Sequence, residues 1–582
     1  MSGICGFVGD ADAKLLDAML AAIDYRGDRT ETVSAAGVGL GYRWWGGRPG
    51  KSPGIHRVGD HLTVCAGTLA PPTPSPAGKL HARLHSADDT LADLDGAFAC
   101  ASWDADQQRL TLIRDPFGVR SLYWVEHAGV FYFASELKQL LAVPGLPIEP
   151  DYHALHKYLT FSFVPGEDVP IRGIHRLLPG HVAHWQYGRL QKTDYLTLKE
   201  QIDPRLADQK EAARFIRARC EHAVARRLNG EPEVALYLSG GIDSSGVAVW
   251  LKEAGVKVHA FTLDFGERSV EKKQAQQVAE HLHLPLTLLP VQGADLAPVL
   301  MDLVWKLDLP FGDAVTGPQY LLGQAARQAG LTAVWNGEGG DQFFGGWTSK
   351  PMISAQLYAD LYEDQSRAQI YLQSYHRFYG LEDQLYTPDF RARVGPPGQR
   401  RALLEPYLHS SDAATFLNRV RLADIELKGS QNILPRLERM ANAWALDARV
   451  PLFDRALAEA SFQLPPQMKL HGACEKYVLK LILQNKLPRD IVWRRKFGMS
   501  VPITDWMLGP LAPTLEKLLG NASLARRGLF RAEYVNRLRS GENEPNETRR
   551  RRVGERLWAL AMLEAWLQIF IDGRGRRPGG GA

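Results

Sequence analysis

The sequence lacks paired cysteines, long apolar runs and a strong excess of either charge. Its 582 residues include five cysteines, which are widely spaced and form no Cys-x-x-Cys pair. This spacing predicts neither a disulfide framework nor a zinc site, and it favours a reducing, cytoplasmic setting. The first residues contain no basic segment followed by an apolar core, and no uncharged apolar run reaches about 18 residues. Neither a secretion signal nor a membrane span is therefore predicted.

The charge balance also argues against polyanionic partners. The 69 lysines and arginines are nearly matched by 65 aspartates and glutamates, which leaves a formal net charge of +4. Such a balance provides no basic field to attract nucleic acid, and the basic run at 549–552 is interpreted as a solvated helix face. At 45% hydrophobic and 23% charged residues the composition is that of globular proteins, and the length suggests two to four domains.

The first part of the chain has the pattern of a layered sheet domain. Short apolar and β-branched runs alternate with glycine and aspartate, at 3–8, 37–42, 61–66, 98–103, 110–114 and 129–134. A polar stretch at 199–209 then precedes a helical pattern at 211–228. We therefore predict a first domain over residues 1–200.

From about residue 205 the pattern changes to strand followed by helix. A strand at 234–238 precedes a helix at 244–253, and a strand at 258–263 precedes a helix at 271–281. A further strand is predicted at 333–335, followed by several amphipathic helices. This order predicts a parallel sheet covered by helices and a mainly helical C-terminal half, together forming a second domain over 205–572. Residues 573–582, GRGRRPGGGA, are predicted to form a disordered tail.

One segment of the second domain has the residues of a phosphate cradle. Ser239–Ser245 (SGGIDSS) lies between a predicted strand and a predicted helix. Two glycines allow close approach of the backbone to a ligand, and the N–H groups that begin a helix attract anions. The serine hydroxyls can donate to phosphate oxygens, and Asp243 can hold Mg²⁺. No Walker sequence with its lysine is present.

This segment resembles the signature of the ATP pyrophosphatase (PP-loop) group, and three further segments narrow the resemblance to the asparagine synthetase B superfamily. They are 336–346 (NGEGGDQFFGG), 444–454 (WALDARVPLFD) and 496–502 (KFGMSVP), which resemble S-G-E-G-x-D-E-x-F-G-G, G-L-E-x-R-x-P-F-L-D and K-x-G-F-x-V-P of that superfamily. The segments follow the superfamily's order. The resemblance implies an N-terminal Ntn-hydrolase-like layered sheet domain, of the class II glutamine amidotransferase type, and an α/β PP-loop ATP pyrophosphatase domain with a helical C-terminal half.

The resemblance also implies the chemistry and the residues that perform it. Similar enzymes bind Mg-ATP, let a substrate carboxylate attack the α-phosphate, release pyrophosphate, and let ammonia or an amine attack the acyl-adenylate. Asp243 and Asp341 would hold Mg²⁺, Lys496 would stabilise the developing negative charge, and Glu338 would orient the amine or act as general base. Leu238, Leu263 and Gly337 would flank the adenosine. The pyrophosphate end would be held by Ser239, Gly240, Gly241, Asp243, Ser244 and Ser245.

The start of the chain departs from this superfamily. Glutamine-dependent members begin Met-Cys-Gly-Ile and use the cysteine as nucleophile with its α-amino group as base. Here Ser2 stands at that position, Arg26-Gly27-Asp28 lacks the proline of R-G-P-D, and Ala66 replaces the asparagine of Asn-Gly-Glu. Cys5 has no terminal amine beside it and is interpreted as a core residue. We therefore expect an amidotransferase-like domain without glutaminase activity.

Two further departures concern the substrate. Gln342 replaces the second acid of the Asp-Glu pair, and Leu309 replaces the glutamate of D-E-P-F. Both changes remove carboxylates near the expected site, so an altered carboxylate or amine substrate is expected.

The leading hypothesis is an ATP-dependent amide-forming ligase that uses ammonia or a substrate amine, between or within molecules. One alternative is a glutamine-hydrolysing asparagine synthetase with Ser2 as a variant or engineered nucleophile, and another is a non-catalytic scaffold. The expected partners are a small-molecule or peptide carboxylate with ammonia or an amine, and a second copy of the chain in a homodimer. No nucleic acid and no membrane are expected, and the sequence does not identify the acid.

Overall fold

The structure is a computed structural model that describes most of the chain. The described residues are 2–35, 37–46, 54–86, 91–346, 352, 367–375, 377–395, 399–494, 500–541 and 547–579. Within these ranges, three larger sheets are formed, two from residues 2–194 and one from residues 233–449. No helix among the described residues is both long enough and apolar enough to cross a membrane.

The first part of the chain folds into two six-stranded sheets with orders β10-β8-β9-β1-β3-β2 and β12-β11-β7-β6-β5-β4. Their strands are β1 (Ser2–Val8), β2 (Arg29–Ala35), β3 (Val38–Trp44), β4 (Ile55–Val58), β5 (His61–Leu69), β6 (Gly96–Asp104), β7 (Arg109–Arg114), β8 (Tyr123–His127), β9 (Val130–Ala134), β10 (His175–Arg176), β11 (His181–Gln186) and β12 (Arg189–Asp194). The sheets face each other, because Ile4 and Leu40 of one pack in a common core with Val64 and Leu112 of the other.

Helices cover the outer faces of both sheets. They are α1 (Lys14–Ala21), α2 (Pro76–Leu84), α3 (Leu137–Leu140) and α4 (Tyr152–Phe161). Side chains alternate along a strand, so Ile4 points between the sheets while Cys5 packs in the helix-side core with α1. Leu80 of α2 packs on Cys65 and Cys100 of the second sheet. The predicted layered sheet fold is confirmed. The strands that the sequence pattern missed include the largely exposed β2 and β12, which lack an apolar run.

The second part of the chain contains a parallel five-stranded sheet of order β15-β14-β13-β16-β17. Its strands are β13 (Glu233–Tyr237), β14 (Lys257–Asp264), β15 (Leu286–Pro290), β16 (Ala333–Trp335) and β17 (Asp447–Arg449). The helices around it are α5 (Gln209–Ala225), α6 (Ile242–Glu253), α7 (Lys272–Leu282), α8 (Leu300–Leu307), α9 (Thr316–Gln328) and α10 (Gly340–Phe344). The strand order reverses between β13 and β16, and ligands of such sheets bind beyond the carboxyl ends of the strands at this point.

The remaining described residues are mainly helical, as the sequence predicts. The α-helices are Arg367–Ser374, Glu382–Leu385, Pro388–Arg393, Gln399–Ala402, Glu405–Leu408, Phe416–Ala423, Leu434–Asn442, Arg455–Gln463, Pro466–Lys469, Tyr477–Leu483, Arg489–Val492, Ile503–Leu508, Ala512–Leu519, Asn521–Arg527, Ala532–Ser540 and Glu547–Trp566. A short hairpin of β18 (Leu470–His471) and β19 (Cys474–Glu475) precedes the helix Tyr477–Leu483.

The end of the chain contacts the folded body over the part that is described. The indole N–H of Trp305 donates to the carbonyl oxygen of Gly575 at 3.0 Å, and the guanidinium of Arg577 lies 5.2 Å from the Trp305 ring. An arginine can stack on an aromatic ring in this way. The disordered tail expected at 573–582 stays a prediction. Residues 580–582 lie outside the described residues.

Candidate functional site

The SGGIDSS segment forms the turn between β13 and α6. Leu238 continues the strand, its N–H donating to the carbonyl of Phe261 at 2.9 Å, and α6 begins at Ile242. The hydroxyl oxygens of Ser239 and Ser244 lie 3.1 Å apart, and the Gly241 N–H donates to Ser239 Oγ at 3.2 Å. Hydroxyl groups and the N-terminal end of α6 therefore converge at the carboxyl end of the central strand, where they can bind an anion.

Two glycines permit the close packing of this turn. Gly240 has a φ of +65°, and a Cβ there would lie 2.5 Å from the carbonyl carbon of Gln274 in α7. Gly337 follows β16, and a Cβ there would lie 2.4 Å from the backbone nitrogen of Ser244. The loops that follow β13 and β16 therefore touch through backbone atoms, and no larger residue fits between them.

The segment after β16 carries two acidic residues, Glu338 in the loop and Asp341 in α10. Asn336 fixes its start, since its side-chain amide donates to the Arg449 carbonyl at 2.9 Å and its Oδ1 accepts the N–H of Glu338 at 3.0 Å. Gly340 lies directly against the carboxylate of Asp243, because a Cβ there would be 2.0 Å from Oδ1. This contact brings Asp243 and Asp341 to the same place from two different loops.

A buried lysine joins these two carboxylates. Lys476 Nζ forms ion pairs with Oδ2 of Asp243 and, at 2.6 Å, with Oδ1 of Asp341. Burial alone would lower the pKa of Lys476, but the attraction of the two carboxylates outweighs it and holds the pKa above its usual range. The buried Asp243 Oδ1 has no hydrogen-bond partner in the described structure, so this oxygen is available to a cation. The carboxylate pair thus fits the hard-oxygen ligands that Mg²⁺ prefers.

These loops enclose a cavity of about 400 Å³. The sequence-predicted residues on its wall are Leu238, Ser239, Gly241, Asp243, Ser244, Leu263, Gly337, Glu338 and Asp341. Gly240 lies behind the wall, where its carbonyl accepts from Arg494 Nη2 at 3.0 Å, and Ser245 is buried within α6. Lys496 lies outside the described residues. Nine of the twelve residues singled out from the sequence therefore line this cavity.

The sequence reasoning missed Lys476. It lies on the cavity wall with Glu475 and Lys480, at the N-terminal end of the helix Tyr477–Leu483, in a left-handed conformation with a φ of +56°. A cation is disfavoured at a helix N-terminus by the helix dipole. A lysine directly before a helical pattern is the only sequence signal, and it does not reveal the distant carboxylates that stabilise it.

The cavity wall also contains further charged groups. Arg436 Nη1 lies 2.9 Å from Asp313 Oδ2, and Lys428 also lines the wall. Burial would raise the pKa of Asp313, but the positive charge of Arg436 keeps it below the usual range. These groups belong to elements other than the serine-rich turn, so the cavity wall carries further polar groups besides the anion cradle.

The two residues that suggested an altered substrate lie elsewhere. Asp308 is fully buried, and its carboxylate accepts the backbone N–H groups of Leu137 and Lys138 at 2.6 and 3.0 Å. The neighbouring Leu309 is also buried, and neither residue is on the cavity wall. Gln342 is buried in α10, and its Oε1 has no hydrogen-bond partner among the described residues. Leu309 therefore belongs to the packing between the two parts of the chain.

The first residues of the chain are linked through Arg26 to the helix Leu434–Asn442, which contains Glu438. Ser2 is buried, and its hydroxyl oxygen accepts the N–H of Gly67 at 3.0 Å. Arg26 Nη1 donates to the Ser2 carbonyl at 3.3 Å and to Glu438 Oε1 at 2.8 Å. Cys5 is buried, and burial raises its pKa, so its thiol is not activated as a nucleophile.

A network of buried ion pairs lies between Ser2 and the cavity. Arg26 pairs with Glu136 and Glu438, Arg439 Nη1 lies 2.7 Å from Glu136 Oε1, and Arg120 pairs with Glu438. These cations hold the pKa of Glu136 and of Glu438 below the usual range, although burial alone would raise both. Glu438 and Arg439 belong to the helix Leu434–Asn442, of which Arg436 and Leu437 line the cavity.

Comparison with known proteins gives two family matches. Residues 216–568 match the family model described as asparagine synthase, and residues 80–196 match that described as glutamine amidotransferase domain. The first match covers the serine-rich turn, the loop after β16 and Lys476. The second begins after Ser2, Arg26 and Ala66, the positions at which the expected glutamine-binding pattern fails.

Individual relatives have low sequence identity to this chain, but the aligned regions cover most of it. Asparagine synthetase [glutamine-hydrolyzing] 1 of Bacillus subtilis is 23% identical over 515 residues, covering 84% of this chain and 80% of the relative. An amidase of Gibberella zeae, chry2, is 28% identical over 510 residues, covering 75% and 74%. Asparagine synthetase B [glutamine-hydrolyzing] of Escherichia coli is 24% identical over 433 residues, covering 70% and 61%. These similarities extend across both parts of the chain.

Proposed function

The chain belongs to the asparagine synthase family, and from that premise we propose which residues and which nitrogen source it uses. As a member of this family it is an ATP-dependent carbon–nitrogen ligase that forms AMP and pyrophosphate. We propose a domain boundary near residue 200, with adenylation and amide formation both in the second domain, residues 205–572. The observation that carries the proposal is the cavity in which the serine-rich turn meets Asp243, Asp341 and Lys476.

ATP would bind with its phosphates at the turn between β13 and α6. Ser239, Ser244 and the backbone N–H groups at the start of α6 would hold the pyrophosphate end, with Gly240, Gly241 and Ser245 giving the turn its shape. Leu238, Leu263 and Gly337 line the cavity beside the cradle and would flank the adenosine. Glycine at 337 keeps that wall open because any Cβ would strike Ser244.

Asp243 and Asp341 would hold Mg²⁺, which when bound neutralises charge on the pyrophosphate as it leaves. Lys476 would supply a fixed positive charge beside the same two carboxylates as the substrate carboxylate attacks the α-phosphate. Lys496, to which the sequence analysis gave the same role, lies outside the described residues, and its role stays a prediction. Glu338 lines the cavity and would orient the incoming amine or accept its proton.

The nucleophile would be free ammonia or an amine of the substrate. Ser2 is buried, position 66 is an alanine without a hydrogen-bonding side chain, and Arg26 is committed to Glu136 and Glu438. None of these groups is arranged to bind and activate glutamine. Buried ion pairs of Arg120, Arg439, Glu136 and Glu438 lie next to Arg26, which contacts Ser2.

The substrate would be a carboxylic acid held by the charged groups that line the same cavity as the phosphate cradle. Lys428 and Arg436 can bind a carboxylate, while Asp313 and Glu338 can bind an ammonium or hydroxyl group of the same molecule. This lining favours a small polar acid over an apolar one.

Substrate-dependent exchange of pyrophosphate into ATP tests the proposal. Purified protein is assayed with a panel of acids that includes aspartate, and the amide is identified by mass. We expect exchange with at least one acid, loss of exchange in Asp243→Ala, and no change in Ser2→Ala. Glutamine-dependent product formation that is lost in Ser2→Ala would support a glutamine-hydrolysing synthetase instead. Absence of both exchange and ATP binding would support the scaffold alternative.

A further inference from the structure

The first sheet domain contains a cluster of histidines far from the cavity in the fold. His61 begins β5, His81 and His85 lie at the C-terminal end of α2, and His56 lies in β4. The ring centroids of His81 and His85 are 4.3 Å apart, and those of His61 and His85 are 4.9 Å apart. Asp104 ends β6 beside them. None of these residues is on the wall of the proposed ATP cavity.

The fold explains how these residues come together. In the pairing of β5 with β6, Thr63 lies opposite Ser102 and Cys65 opposite Cys100, so His61 and Asp104 follow at the same edge of the same sheet face. Helix α2 packs on that face through Leu80. His81 and His85 are four residues apart, which places both on one side of this helix turn.

The geometry matches a metal site. One potential ligand atom from each of His61, His85 and Asp104 lies within 4.8 Å of the other two. His61 Nδ1 is 3.6 Å from Asp104 Oδ1, and His85 Nδ1 is 3.8 Å from Asp104 Oδ2. Two ligands of one tetrahedral Zn²⁺, each about 2.0–2.1 Å from the ion, are roughly 3.4 Å apart. The two His–Asp104 separations, each to a different carboxylate oxygen, are therefore within a few tenths of an ångström of that value.

The hydrogen bonds identify two acceptor atoms at this position. The backbone N–H of Ala105 donates to His61 Nδ1 at 3.3 Å, so this nitrogen is unprotonated, and an ion bound to it would replace this long hydrogen bond. The Asp104 Oδ1 that it faces accepts the N–H groups of Asp106 and Gln107, both at 3.1 Å, which fix the carboxylate. Two acceptors at 3.6 Å have no proton to share, and a cation between them would convert repulsion into attraction.

Neighbouring contacts give the cluster a supporting layer. Thr63 Oγ1 lies 3.0 Å from His81 Nδ1 and 2.7 Å from Ser102 Oγ. His81 is not one of the three ligands, but its ring centroid lies 4.3 Å from that of His85, so these hydrogen bonds fix a direct neighbour of the site. The side chains of His61, His85 and Asp104 are 23, 22 and 12% exposed, so an ion can reach the site from solvent.

From these observations we propose that His61, His85 and Asp104 bind one Zn²⁺, with a fourth position left to water. Two imidazole nitrogens and one carboxylate oxygen suit Zn²⁺ better than Mg²⁺ or Ca²⁺, which prefer all-oxygen ligands. The ion would tie β5 and β6 to the end of α2 and stabilise the first domain. Cysteine spacing predicted no zinc site. The three proposed ligands include no cysteine, and they are brought together by the pairing of β5 with β6 and the packing of α2.

The test uses the full-length protein, stripped of metal by a chelator and titrated with ZnCl₂ by calorimetry in excess Mg²⁺. Excess Mg²⁺ occupies carboxylate sites without competing for imidazoles. We expect one tight equivalent of Zn²⁺ in the original protein and in His127→Ala, a control on the other sheet. In His85→Gln and in Asp104→Asn the affinity of that equivalent should fall at least tenfold.

Two further measurements distinguish loss of the proposed site from misfolding of a variant and from Zn²⁺ binding to free cysteines. The melting temperature should rise with Zn²⁺ in the original protein and in His127→Ala, but not in His85→Gln. Co²⁺ should give the intense visible absorption of a tetrahedral site, and His61→Ala should lose it while keeping the far-ultraviolet circular dichroism of the original. Equal Zn²⁺ affinity and equal thermal stabilisation in the original protein and in His85→Gln would overturn the proposal.

Discussion

The ammonium group of Lys476 lies 2.6 Å from Oδ1 of Asp341 and also pairs with Asp243, so one buried cation joins the loops that follow β13 and β16. Lys476 is 1% exposed in its side chain, while Asp341 is 36% exposed toward the cavity. The two carboxylates thus fix the buried lysine, and Asp341 remains partly exposed to the cavity in which the ligand would bind. This arrangement leads to the first prediction.

Lys476→Ala should abolish adenylation. The change removes the positive charge beside the reacting phosphate and leaves two carboxylates facing each other without a counter-ion. We expect the rate of pyrophosphate exchange to fall at least about 100-fold, the magnitude typical of losing one preorganised electrostatic contact. The control is Lys486→Ala, because Lys486 is a half-exposed lysine that pairs with Glu253 on the surface. Equal exchange rates in the two variants would contradict the role given to Lys476.

Gly337→Ala should prevent ATP binding while the rest of the fold remains. The new Cβ would lie 2.4 Å from the Ser244 nitrogen, so the loop after β16 must move away from the start of α6. We expect the dissociation constant for ATP, measured by calorimetry, to rise at least tenfold. Gly330→Asn is a suitable control, because Gly330 has a φ of +82° in open space, where asparagine is tolerated. Unchanged ATP affinity in Gly337→Ala would show that adenosine does not use this wall.

Restoring cysteine at position 2 should not restore glutaminase activity. The Ser2 side chain is buried against Gly67, and Ala66 offers no side-chain donor for glutamine or its oxyanion. In Ser2→Cys we expect no glutamate release from glutamine and no change in activity with ammonia. The double variant Ser2→Cys, Ala66→Asn tests whether one missing donor is sufficient to explain the loss. Glutamate release by the single variant would contradict the interpretation of the first domain as inactive.

Arg26→Ala should strongly destabilise the protein. Arg26 is 2% exposed, and its loss would leave Glu136 and Glu438 buried with one cation fewer. Breaking a buried pair of this kind costs about 3–5 kcal/mol. Arg205→Ala removes an ion pair whose arginine is 86% exposed, and solvent screening leaves such a surface pair with little effect on stability. Urea unfolding should therefore show a large fall in midpoint for Arg26→Ala and little change for Arg205→Ala.

His156 should make the fold sensitive to acid. Burial, together with the nearby charges of Arg400 and Arg391, lowers the pKa of His156 to about 3, and its Nδ1 lies 2.8 Å from the hydroxyl of Tyr386. Between about pH 6.5 and 3 the unfolded chain binds a proton at this residue that the folded chain does not, so stability falls as pH falls. The contribution is at most about 1.4 kcal/mol per pH unit.

His156→Gln removes this titration and keeps a hydrogen-bonding side chain toward Tyr386. The melting temperature of this variant should fall less steeply than that of the original protein between pH 6.5 and 4. His222→Gln on the exposed side of α5 should follow the original. Parallel curves for all three proteins would exclude His156 as a source of acid sensitivity.

The strands and helices around the cavity were predictable because their signals are local. Strand 333–335 was predicted with the bounds found in β16, and the serine-rich segment occupies the expected turn between β13 and α6. Apolar runs of four to eight residues and glycine-rich turns determine such elements from neighbouring residues alone. Exposed edge strands such as β12 carry no such pattern, and they form only because β11 offers them a partner.

The sequence by itself determined the family, the phosphate cradle, the acidic pair and the absence of a cysteine at position 2, since each is a short string whose meaning does not depend on distant residues. Only the tertiary structure decided that Lys476 lies between Asp243 and Asp341, more than 100 residues from either. It also decided that Arg26 pairs with Glu438 and that His61, His85 and Asp104 converge. Charged side chains look alike along a sequence, and their roles depend on which opposite charge or lone pair the fold places beside them.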